Sequence, residues 1–288
     1  MKRHVFRLLA ALVLFLPAAS AQAYTCQVSS PGFATDFDPN LGSSPWVVQT
    51  YFAVACTRQA GDPDPTNVSY SVEADNGANS FSGSNHAILG GNYVRYDTYG
   101  DSGCATQWNR NNGSRLPAPP PGTMTLSGNV TTSVNVPFWG CVPVAGNAGA
   151  TNGTHTDTVT MFLYRGTSNT RLDTGSFPVT INVTASCRIS TAPGNIAFNY
   201  TSFGAAVNAS TNFGATCTSA LPYTMALDVT SGTLLGMNYS LTLSAASANG
   251  TGLEQTYTIS GFMAGGQAGT CSTGTCTATQ SHTLTISY

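Results

Sequence analysis

The chain has 288 residues, of which 41% are hydrophobic, 10% aromatic and only 8% charged. The apolar fraction supports packed cores and excludes a disordered chain. No basic stripe exists, which excludes nucleic acid as a partner.

Residues 1–23 read as a secretory signal peptide. Lys2, Arg3 and Arg7 supply the positive start, Val5 to Leu16 the apolar run, and Ala21-Gln22-Ala23 a small-x-small cleavage site. The run is too short for a spanning helix. Cleavage after Ala23 leaves 265 residues beginning at Tyr24, with seven arginines (58, 95, 110, 115, 165, 171 and 188), no lysine, twelve acids and a formal net charge of −5. The surface must then be built from Ser, Thr, Asn and Gly.

All eight cysteines lie beyond the cleavage point, at 26, 56, 104, 141, 187, 217, 271 and 276. An even count behind an export signal predicts disulfides, although eight cysteines allow 105 pairings. A repeat narrows them. Cys26 and Cys56 are thirty residues apart, as are Cys187 and Cys217, and the flanks agree: CQVSSPGFATDF and YFAVACT against CRISTAPGNIAF and NFGATCT. This reads as one domain occurring twice, 161 residues apart. The repeat pairs Cys26 with Cys56 and Cys187 with Cys217; the short CSTGTC loop pairs Cys271 with Cys276, and Cys104 with Cys141 remain. Closing a thirty-residue loop contributes on the order of 3 kcal/mol by the chain-entropy model.

In chain order, TVTMFLY, FPVTINVTA, YSLTLSA, QTYTISGFM and HTLTISY alternate with period two and are rich in β-branched and aromatic residues. Gly, Asn and Ser clusters separate them, and no stretch has a helical period. The expected fold class is all-β, with two tandem sandwiches. The first would span 24–184, ending on GSFPVTINVTA, and the second 185–288. Trp46 and Trp108 are expected in the core.

Catalytic and metal chemistry is weakly supported. Gly100-Asp101-Ser102-Gly103 echoes a serine-protease nucleophile loop, but His86 lies only sixteen residues before Ser102 and position 104 is a cysteine. CSTGTC lacks further metal ligands apart from His282. The acids Asp36/Asp38 and Asp62/Asp64 read as solvated loops rather than a calcium site. No enzyme, metal or cofactor is expected. An outer-membrane barrel, raised by the terminal HTLTISY, fits poorly with eight cysteines and so few charges.

The two Cys-to-Cys-Thr units resemble spore coat protein U domains, the pilin domains of archaic (Csu-type) chaperone–usher pili. In the first domain SYSVEADNG, YVRYDTY, the following Trp108 and GTHTDTVTMFLY carry the likeness; in the second, YTMALD, YSLTLS, YTISGFMAGGQAGT and HTLTISY do. LPAPPPGTM and VPFWGCVPVAGNAGAT depart from the family pattern. The resemblance implies immunoglobulin-like sandwiches lacking a last strand, completed by a strand from an adjacent pilin subunit and beforehand by a periplasmic chaperone, with export through an outer-membrane usher. Only Tyr24 and Thr25 would precede Cys26, so the expectation is a subunit that accepts a strand and donates none, placed at the pilus tip on the cell surface. GSFPVTINVTA would complete the first domain internally. The groove of the second would be lined by Ile189, Phe198, Leu284, Ile286 and Tyr288. Apolar loops of the first domain would grip an abiotic or host surface: Leu116, Pro119, Pro120 and Met124 in one, Phe138, Trp139 and Val142 in another, Ile88 and Leu89 in a third. The alternatives are a structural pilin or coat protein without an adhesive role, and a lectin on the same scaffold.

Overall fold

A computed structural model describes residues 24–59, 66–272 and 274–288. The expected signal peptide and the pair Asp62/Asp64 lie outside the described residues. The first ten strands are β1 (Tyr24–Ser29), β2 (Phe33–Phe37), β3 (Trp46–Arg58), β4 (Asn67–Ala74), β5 (Asn85–Leu89), β6 (Asn92–Tyr99), β7 (Gly122–Thr125), β8 (Thr131–Val142), β9 (Gly153–Arg165) and β10 (Arg171–Val183). They form one sheet in the order β1-β3-β8-β6-β5-β9-β10-β2, with β4 on β9 and β7 on β4. The sheet folds over itself at β6, which pairs with β5 through Asn92–Tyr96 and with β8 through Asp97–Tyr99. A strand shared between two layers is how such a corner is made.

Alternation puts every second residue inside. Tyr24, Cys26 and Val28 of β1 are buried, as are Phe177, Val179, Ile181 and Val183 of β10. At the centre, Trp108 stacks on Phe52 at 5.1 Å between ring centroids and leans on Phe138 at 4.9 Å, while Phe138 meets Phe177 at 5.2 Å. The Trp108 indole donates to the Val72 carbonyl at 2.9 Å, so its one polar atom is satisfied. Trp46 is partly buried against the same core. Gly140 is required where it stands: a Cβ there would lie 2.4 Å from the Phe33 ring. Strand β10 runs antiparallel to β9 and parallel to β2, so it has a neighbour on both sides.

The next eight strands are β11 (Cys187–Thr191), β12 (Val207–Cys217), β13 (Pro222–Leu227), β14 (Ser231–Leu234), β15 (Met237–Leu243), β16 (Ser247–Asn249), β17 (Glu254–Met263) and β18 (Leu284–Ser287). They form a five-stranded sheet, β11-β12-β17-β15-β14, and a three-stranded one, β16-β13-β18. The chain is therefore all-β with two domains and separate cores, and its sheets do not close into one barrel. The second core is smaller, built on Phe213, Tyr223, Met225, Tyr239, Leu241, Tyr257, Ile259 and Met263. The four disulfides are Cys26–Cys56, Cys104–Cys141, Cys187–Cys217 and Cys271–Cys276. Cys26 faces Cys56 across β1 and β3, and Cys187 faces Cys217 across β11 and β12, both with a Cα separation of 4.1 Å. Such bridges belong to an oxidising, exported setting.

Polar contacts join the domains. Asn40 donates to Ser186 Oγ at 2.7 Å, Ser186 donates to Asp38 at 2.8 Å, and the Asn152 amide donates to the Ser219 carbonyl at 3.1 Å. Beside this junction His155 is fully buried, with Nδ1 3.2 Å from the Gly153 carbonyl and Nε2 3.4 Å from the Thr151 hydroxyl. Burial holds its pKa below the usual histidine value, against the raising effect of the Gly153 carbonyl. The folded state thus keeps a neutral ring that the unfolded chain would protonate near pH 6.5. Its stabilisation is complete above that pH and is lost as the pH falls toward the folded-state value. Denaturant unfolding at pH 7 and pH 5 should therefore show a smaller acid loss for His155→Gln than for the parent; an equal loss would remove His155 as the cause.

Candidate functional sites: an open edge and a far face

Strand β18 has one neighbour. It pairs with β13 from Leu227↔Leu284 to Thr224↔Ser287, and no described strand pairs along its other side. Strand β11 approaches β18 without sharing a ladder with it. Leu284 and Ile286 pack against the second core but stay half-buried, whereas Val179 and Ile181 at the end of the first domain are 0% exposed. Ile189 on β11 is 41% exposed and Tyr288 is 62% exposed. Phe198 belongs to the segment between β11 and β12. It is half-buried, and with Ile196 it lies over Gly261 of β17, where a Cβ would meet the Phe198 ring at 2.6 Å. Of the five groove residues named from sequence, Leu284 and Ile286 lie on β18 against the second core, Ile189 lies on β11, Phe198 lies over β17, and Tyr288 follows β18 near Tyr223 and Thr224.

The approach to β18 is tied down by a chain that sequence reading missed. His282 Nδ1 is 3.1 Å from Asp228, its Nε2 is 2.6 Å from the Tyr239 hydroxyl, and the Asp228 amide donates to the Thr283 carbonyl at 2.9 Å. The three residues span 54 positions, so no local pattern announces them.

The expected surface loops need correction. Val136 to Val142 is the end of strand β8, not a loop, so Phe138 and Val142 point inward and are 0% exposed. Trp139 alternates to the outer face, half-buried, opposite Gln49 and Tyr99. Leu116 is buried because its backbone is bonded both ways to Val72, and Met124 is buried on β7 opposite Val68. Between those two anchors Pro119 and Pro120 are exposed. Ile88 and Leu89 are exposed at the end of β5, and Leu89 lies against Gly153, toward the second domain. Exposed Phe81 and Tyr93, packed around His86, extend that patch; sequence reading passed over both.

The far face is defined by β9. It starts at Gly153, next to the inter-domain bridge Thr151↔Ser219, and reaches Arg165 about 40 Å away at about 3.4 Å per residue. There the guanidinium of Arg115 donates to Glu73 at 2.9 Å, to the carbonyls of Thr167 and Ser168 at 3.1 and 3.0 Å, and to Asn169 at 3.0 Å. Arg165 donates to the Tyr24 hydroxyl at 2.8 Å. Tyr24 itself is β-paired with Arg58 and buried.

The GDSG stretch is a turn. Asp101 accepts the amides of Gly103, Ala105 and Thr106, which hold its carboxylate below the usual range, and Cys104 is bridged to Cys141. Among the described residues no group of three or more His, Cys, Asp or Glu is placed to hold a metal ion.

Fold and site define a two-domain disulfide-bonded β-protein in which, among the described strands, β10 has a neighbour on both sides and β18 on one. Residues 13–162, just over half the chain, match the Spore Coat Protein U domain family, and the chain belongs to that family. The second domain lies beyond the matched span; its likeness to the first rests on the repeated bridge. No curated protein matches the sequence. Among solved structures, the CsuC–CsuE chaperone–tip adhesion subunit pre-assembly complex from the archaic chaperone-usher Csu pili of Acinetobacter baumannii aligns at 12% identity. The alignment covers 92% of this chain and 100% of that one, with a TM-score of 0.45. The CupB6 tip adhesin of Pseudomonas aeruginosa aligns at 9% identity over 92% and 95%, with a TM-score of 0.40.

Proposed function

We propose that this chain is the tip subunit of a chaperone–usher pilus, a non-enzymatic surface adhesin. The observation that carries the reading is how the last strand of each domain is flanked among the described strands. Strand β10 is flanked on both sides, whereas β18 is flanked on one and leaves Leu284 and Ile286 half-buried. On this reading 24–184 is the binding domain and 185–288 an immunoglobulin-like pilin domain lacking its last strand. A donor strand from the adjacent pilin subunit lies between β11 and β18, adding backbone hydrogen bonds along the free edge and apolar side chains into the opening. A periplasmic chaperone occupies the same edge beforehand, and an outer-membrane usher passes the subunit to the cell surface. Contact with a surface falls to the far face, with Pro119 and Pro120, and to side patches such as Ile88 with Leu89 and the outward Trp139. Leu116, Met124, Phe138 and Val142 support these from within. Gold-labelled antibody against residues 24–184 on piliated cells should mark fibre ends alone. Label along the shaft would make the chain a structural pilin instead.

A further inference from the structure

The far face is also where the positive charge collects. Arg58, Arg110, Arg115, Arg165 and Arg171 lie there, five of the seven arginines that follow the signal segment, in a protein whose mature net charge is negative. Two of them share one ring. The guanidinium carbon of Arg110 is 4.6 Å from the Phe162 centroid and that of Arg171 is 5.5 Å from it, so the two charges are no more than about 10 Å apart. Like charges that close repel, and Glu73 is the described acid paired with one of them. Glu73 is 2.9 Å from Arg115 and only 3.7 Å from Arg110. Asp173 is turned toward β1, accepting the Val28 amide at 2.8 Å. Asp62 and Asp64 lie outside the described residues.

Arg115 and Arg165 have structural work. The first is spread over Glu73 and the Thr167–Asn169 turn, and the second is bonded to Tyr24. Arg110 and Arg171 are held more loosely: Arg110 Nε pairs with Glu73 at 3.7 Å. The Arg110 side chain is 54% exposed, and Arg171 has one weak bond, to Thr174 at 3.4 Å. A guanidinium lying on an aromatic ring keeps its in-plane N–H fork free, and that fork matches carboxylate or sulfate oxygens in pairs. Arg110 and Arg171 are both exposed, which suits a long polymer better than a small enclosed anion. Phe162 is half-buried and Pro119 and Pro120 are exposed nearby on the same end, giving apolar surface for sugar rings.

We propose that Arg110 and Arg171, stacked on Phe162, bind the carboxylate or sulfate groups of an acidic polysaccharide. The proposal rests on the first domain being the binding domain, but its test does not require a pilus. Purified residues 24–288 should bind immobilised heparin and polygalacturonate in low salt, lose both in high salt, and ignore dextran. The double variant Arg110→Gln with Arg171→Gln should weaken binding at least about tenfold, while its thermal unfolding matches the parent. The paired Arg→Lys variant, which keeps charge but loses the fork, should fall between them. Arg188→Gln in the second domain should bind as the parent does. No parental binding to either polymer, equal losses in the Arg188 and Arg110/Arg171 variants, or binding confined to phosphatidylglycerol vesicles would each overturn it. Polymer binding with gold label along the shaft would leave this site standing and sink the tip assignment.

Discussion

An alternating apolar strand, fused after Tyr288 through a flexible linker, should give residues 24–288 a second and more stable thermal transition. Ile189 on β11 and Leu284 and Ile286 on β18 stop short of full burial, which on the proposed reading leaves a groove for the donor strand. If about five donor side chains fill it, burial contributes roughly 8–15 kcal/mol as an upper bound. Ordering the strand and linker offsets much of this. Even about 3 kcal/mol net would raise the midpoint of a domain this size by more than about 10 °C. The first domain, whose β10 already has a neighbour on both sides, should melt unchanged. Plain and fused proteins that are both monomeric and melt alike would show the second domain to be complete, and the pilus reading would fall with it.

Trp108→Ala should destabilise the first domain by about 3–5 kcal/mol, the range for emptying an aromatic site in a packed core. The indole touches Phe52 and Phe138 and is fully buried. The Val72 carbonyl keeps the Leu116 amide at 3.0 Å, so no buried acceptor is orphaned and the loss is mainly packing. Phe138→Ser acts on the same cluster and should cost a similar amount, with a hydroxyl buried besides. Loss of adhesion in that variant would report unfolding rather than a missing contact. Trp139→Ser, one residue on but facing outward, is the clean probe of the surface. Urea unfolding of the three variants checks the order; a cost below about 1 kcal/mol for Trp108→Ala would mean that the stack does not organise the core.

Several features were legible before any coordinates. Period-two alternation in TVTMFLY and FPVTINVTA marks β9 and β10 because a strand's side chains change face at every residue. The thirty-residue spacing marks the bridges of β1 with β3 and β11 with β12, since a repeated unit repeats its staple. Leu284 and Ile286 share a face by parity alone. Exposure was not legible. VPFWGCV looks like an apolar loop because Pro and Gly interrupt it, yet Pro137 and Gly140 sit within β8, the latter because the Phe33 ring needs the room. Phe81 and Tyr93 gave no signal, because a lone aromatic in a polar stretch reads the same whether buried or bare.

The sequence by itself determined the class of protein: exported, disulfide-bonded and all-β, with one bridge spacing that occurs twice. These follow from composition, spacing and parity, which are local properties. Only the tertiary structure decided which edge is open, which apolar residues face water and where the charge gathers. Those depend on neighbours far along the chain. Arg110, Phe162 and Arg171 meet only when the sheet curls at β6 and carries the 110–112 turn over β9 and β10. Whether β18 has one neighbour or two is decided by pairing across more than fifty residues, and no pattern within the strand encodes it.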